Sequence, residues 1–120
     1  MTCNGGYVLV VDDDATIRDS IASVVEDEAH GVKTAANGRA ALDIVRAGPR
    51  PSVILLDIMM PVMDGNAMLA ELRCRPAWAE IPVYLMTASG PGRHARPGVV
   101  SVLRKPFDFE VLTGIIGKHC

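Results

Sequence analysis

The chain has 120 residues, 49% of them hydrophobic, with 14 acidic against 12 basic side chains and a formal net charge of −2. That length suits one domain with a single core, and the apolar content with nearly balanced charge excludes a disordered chain and points away from a general nucleic-acid binder. The longest apolar runs, 7 to 11 and 53 to 56, fall far short of the roughly 18 residues of a membrane span.

The MTCNGG start lacks the charged and apolar segments of a secretory leader. Cys3, Cys74 and Cys120 are odd in number and widely spaced, with no C-x-x-C pair, which favours reduced thiols over a disulfide framework or a zinc site. A cytoplasmic protein is expected.

In chain order, YVLVV (7 to 11) is a valine-rich run of strand length, and DDDAT after it supplies helix-starting residues with Asp14 as N-cap. Ile17, Ile21, Val24 and Val25 then form one apolar helical face, ended by Gly31. VKTAA (32 to 36) reads as a short strand, and Asn37-Gly38 as the start of a helix carrying Ala41, Leu42 and Val45 that Gly48, Pro49 and Pro51 stop. VILLD (53 to 57) is the third strand, and PVMDG a turn before a helix with Met68, Leu69 and Leu72. PVYLMT (82 to 87) is the fourth strand, with Pro82 tolerated at its first position. VVSVLRK (99 to 105) is the fifth, before Pro106 and a last helix with Val111, Leu112, Ile115 and Ile116 along its core side.

Five apolar strands separated by amphipathic helices predict a doubly wound α/β fold, because parallel strands need crossovers and the helices supply them. Ligands in such folds sit at the carboxyl ends of the strands. The strands predicted here end in Asp12 and Asp13, in Asp57, in Thr87 and in Lys105. Neighbouring strands lie only about 4.8 Å apart, so three converging carboxylates repel unless a cation sits among them, and an oxygen-only donor set suits magnesium. Taken singly, each residue has a plainer account: the acidic triplet as a helix N-terminus, Asp57 as a strand-end turn residue, Thr87 as a strand residue, Lys105 as a solvated lysine. Their conjunction carries the weight.

VLVVDDD, LLDIMMPVMDG, PVYLMTAS and LRKPF, in that order over essentially the whole chain, resemble the receiver domain of bacterial two-component response regulators, with a single-domain, chemotaxis-regulator-like fold over residues 1–120. The resemblance implies a five-stranded parallel sheet in the order 2-1-3-4-5 with helices on both faces. It implies that Asp57 accepts a phosphoryl group from a phosphohistidine on a sensor histidine kinase or phosphotransfer protein. Asp12, Asp13, Asp57 and the main-chain carbonyl of Met59 would hold Mg2+. Thr87 and Lys105 would contact the phosphoryl group. A downstream protein would read the change, and the chain would catalyse only its own phosphorylation and autodephosphorylation. Neither nucleic acid nor a membrane is an expected partner, and the oligomeric state is left open.

The chain also departs from the family pattern. Val102 stands where the family carries a switching aromatic three residues before the lysine. The stretch 88 to 100 is shorter than the family's fourth-helix region and holds Gly90, Pro91, Gly92, Pro97 and Gly98, so the expectation is a short, broken or disordered helix. Met59 and Ser89 fall where the family flanks the path of attacking water, and the apolar Met59 is expected to shield an acyl phosphate. Two alternatives stand beside the switch. One is an interaction module that never uses the phosphate; the complete acid, hydroxyl and lysine set speaks against it. The other is an aspartyl-phosphate phosphatase, which would want a second acid where Met59 stands. The sequence ends soon after the last predicted helix and fits both a stand-alone regulator and a receiver cut from a longer protein.

Overall fold

The computed structural model describes residues 7–27, 31–58, 65–87, 99–104 and 109–119. Strands β1 (Val8–Val11), β2 (Val32–Ala35), β3 (Val53–Asp57), β4 (Val83–Thr87) and β5 (Val99–Arg104) alternate with helices α1 (Ala15–Asp27), α2 (Gly38–Ala47) and α3 (Gly65–Arg73), and α4 (Phe109–His119) follows β5. The strands form one sheet in the order β2-β1-β3-β4-β5, and every pairing is parallel. The expected short or broken helix within 88–98 lies outside the described residues, as do Met59, Ser89 and Lys105.

Local chemistry sets the boundaries. Asp14 caps α1 through its carboxylate, which accepts from the amides of Thr16 at 2.9 Å and Ile17 at 3.4 Å. Asn37, in extended backbone, caps α2 by accepting from the Ala40 amide at 2.9 Å. Pro82 sits just before β4 rather than in it, and its carbonyl accepts from the Ile54 amide at 2.9 Å. A proline there costs the sheet no donor.

Because side chains alternate along a strand, each central strand feeds two cores. On one face Leu9, Val11, Ile54, Leu56 and Leu85 pack with Leu42 and Val45 of α2 and Met68, Leu69 and Leu72 of α3. On the other, Val8, Val10, Leu55 and Met86 pack with Ile21 and Val25 of α1 and Leu112, Ile115 and Ile116 of α4. β1 is therefore apolar at every position and β3 at every position before its terminal Asp57, as strands covered on both sides must be. The edge strand β2 turns Lys33 and Thr34 to solvent.

One core assignment needs correction. Val111, expected on the core side of the last helix, is 41% exposed. Leu112, Ile115 and Ile116 define the buried stripe, and Val111 lies about a quarter-turn round from its centre, where α4 meets water. Among the described residues no helix is long and apolar enough to cross a membrane.

Tyr7, expected as the first strand residue, lies just before β1, buried in the α2/α3 core. The Lys33 ammonium stands 4.6 Å from its ring centroid, while its hydroxyl is buried with no hydrogen-bond partner among the described residues. Burial raises the Tyr7 and Tyr84 hydroxyls above their ordinary value of 10.0. The unfolded chain therefore loses these protons first, and stability falls as pH climbs from 10 through the raised values. Tyr7→Phe removes an unsatisfied polar group and should leave the protein as stable or more stable by about 1 kcal/mol at neutral pH, with a shallower alkaline loss. Urea unfolding at pH 7 and above pH 10 checks this; a loss of stability at pH 7 would show that the hydroxyl is satisfied.

Candidate functional site

Register decides what meets at the carboxyl edge of the sheet. Val11 of β1 pairs with Leu56 of β3, so the next residue on each strand is an aspartate, Asp12 beside Asp57. Asp57 pairs with Met86 of β4, and Thr87 pairs with Arg104 at the end of β5. Asp57 continues the alternation of Val53 and Leu55 and so leans toward the α1/α4 face, as Asp12 does after Val8 and Val10.

Carboxylate oxygens of Asp12, Asp13 and Asp57 lie within 4.8 Å of one another. Asp12 is 0% exposed and Asp57 5% exposed, while Asp13 faces solvent. Two ionised carboxylates at that separation repel by about 3 to 4 kcal/mol at an effective dielectric constant of about 20. Such a cluster has the kind of donor set that holds a cation. Its oxygen donors and the exposure of Asp13 fit a hard divalent ion of the magnesium class, which keeps several waters and takes few protein ligands.

The turn between β1 and α1 is held by its own side chains. The Asp12 carboxylate accepts from the Asp14 amide at 2.9 Å, and the Asp12 amide donates to the Ala35 carbonyl at 3.1 Å. Arg18 of α1 reaches back and donates from Nη1 to the Asp12 carbonyl at 2.6 Å. Reading the sequence by motif missed Arg18. Its signal was position: four residues after the N-cap, a helical side chain leans back over the first turn.

The structure thus brings together Asp12, Asp13 and Asp57 of the expected site. It places the backbone of Thr87 at the end of β4 and that of Val102 in β5 opposite Leu85; the side chains of both lie outside the described part. Lys105, the Met59 carbonyl and Ser89 lie outside it as well.

Residues 8–117 match the response regulator receiver domain family. This chain belongs to that family. It is similar to the response regulator MprA of Mycolicibacterium vanbaalenii, 34% identical over 109 residues that make up 88% of this chain and 46% of MprA. The receiver thus spans less than half of that relative, and about a quarter of two other curated relatives. Among solved structures it resembles the chemotaxis protein CheY4 of Vibrio cholerae, with a TM-score of 0.86 and 28% identity over 96% of this chain and 98% of that one. It also resembles the Mn(2+)-bound form of the response regulator Rcp1, with a TM-score of 0.78 and 26% identity over 92% and 91%.

Neutralising one exposed member of the acid cluster separates repulsion from metal binding. Asp13→Asn should raise the melting temperature of the metal-free protein and reduce the further rise that millimolar Mg2+ gives the wild type. Thermal melts with and without Mg2+ check both; equal Mg2+ shifts in the two proteins would take Asp13 out of the metal site.

Proposed function

We propose that this chain is the phosphoacceptor switch of a two-component phosphorelay, acting in the cytoplasm, with Asp57 as the acceptor. The observation that carries the reading is the convergence of Asp57 with Asp12 and Asp13 at the strand ends of a receiver-family chain. Phosphoryl transfer asks little covalent chemistry of a protein; it asks for a positioned nucleophile and positive charge around the transferred group. β3 supplies the position, since Asp57 closes a strand whose preceding four residues are fully buried.

In the reaction an Asp57 carboxylate oxygen attacks phosphorus. The P–N bond to the kinase phosphohistidine breaks, and the imidazole keeps the electron pair and takes up a proton. Hydrolysis of the resulting acyl phosphate returns the carboxylate and inorganic phosphate, so the chain turns over only its own modification. Asp12 and Asp13, with the Met59 carbonyl, would hold Mg2+ beside Asp57, and the bound ion would supply charge neutralisation to the incoming phosphoryl oxygens. The Mn(2+)-bound state of the similar Rcp1 supports a divalent ion in this fold. Thr87 and Lys105 would take the phosphoryl oxygens from the ends of β4 and β5, and Met59 and Ser89 would flank the water path.

The phosphoryl group carries roughly 1.5 to 2 negative charges in place of the carboxylate's single charge, and a downstream protein would read the change. With valine at 102, there is no ring at the family's switching position. The readout would then rest on the segment after β4, whose composition differs from the family pattern.

Intact mass after incubation with acetyl phosphate and Mg2+ tests the assignment. Wild type should gain one phosphoryl group and Asp57→Asn none, with the gain abolished by a chelator. Equal gain in both proteins, or none in either, would contradict it.

A further inference from the structure

Arg18 carries a role that the acid cluster alone does not explain. Its guanidinium bends from the second turn of α1 to the Asp12 carbonyl, 2.6 Å from Nη1. Its own amide donates to the Asp14 carbonyl at 3.0 Å, and the Asp14 amide donates to the Asp12 carboxylate at 2.9 Å. These three bonds close a ring that joins the end of β1 to the start of α1. Placing a cation toward a helix N-terminus works against the helix dipole, so the arrangement is not one that helix stability alone selects. The neighbouring carboxylates offset that cost.

The Asp12–Asp13 peptide unit is planar. A bond to its carbonyl oxygen restrains rotation of that unit, and with it the backbone torsions that help set where the two carboxylates leave the chain. We infer that Arg18 is a positioning residue for the metal ligands: through the peptide carbonyl it presets Asp12 and Asp13 for a divalent ion, touching neither ion nor phosphoryl group. This inference rests on the metal reading of the site.

Charge and position predict opposite effects, which makes the role testable. Removing a nearby positive charge by itself tightens binding of a cation. Losing the clamp loosens it, and groups that orient metal ligands typically contribute about 10- to 100-fold in affinity. Calorimetric titration of Mg2+ into the metal-free protein should therefore show Arg18→Met weakened about tenfold or more, against the sign expected from charge. Arg18→Lys, which keeps a donor and the charge, should fall between Arg18→Met and wild type.

A folded Arg18→Met protein that binds Mg2+ as tightly as wild type, or more tightly, overturns the role. If Arg18→Met does not fold, Arg18→Lys decides: weaker binding sustains the inference and unchanged binding overturns it. Failure of the wild type to bind Mg2+ overturns the metal reading and this inference together. Normal wild-type binding with an indifferent Arg18 variant overturns only the latter.

Discussion

The parallel register of β1 and β3 holds the carboxylates of Asp12 and Asp57 side by side with almost no exposure to water, and the chemistry of the molecule depends on that one constraint. Carboxylates free to move would separate. Here they are fixed by strands whose every preceding residue is packed into one or other core. The hydrophobic packing of two faces thus holds like charges together at one edge, where a bound cation would offset their repulsion.

That edge is bounded by local hydrogen bonds. The Asp14 amide and the Arg18 guanidinium both bond to Asp12, and Asp14 in turn starts α1. The element that begins at the acid turn is the same helix whose Ile21 and Val25 fill the core beneath Asp57. The acid turn is thus hydrogen-bonded to α1, and α1 shares one core with α4. The exposed Val111 lies on the outer side of α4.

Much of this was legible in the sequence. Continuous valine and leucine runs marked the buried strands because a strand covered on both faces has no polar side. The acids stood out because each followed such a run directly, and parallel strands bring their ends to one edge. The helix starts at Asp14 and Asn37 were legible from side chains that can accept amide bonds. Val111 was misplaced because four apolar residues in six overfill one helical stripe, and the sequence does not say which is left outside. Arg18 was passed over because its role is a bond to a backbone carbonyl, which has no residue-type signature. The burial of Tyr7 beneath Lys33 depends on a cross-strand neighbour that a linear reading does not supply.

The central claim is that the three carboxylates form a divalent-cation site. Crystals grown with Mn2+, measured near the manganese absorption edge, test it most directly. The account predicts an anomalous peak bounded by carboxylate oxygens of Asp12, Asp13 and Asp57. Manganese found only elsewhere, with no density between those oxygens at saturating concentration, would contradict it.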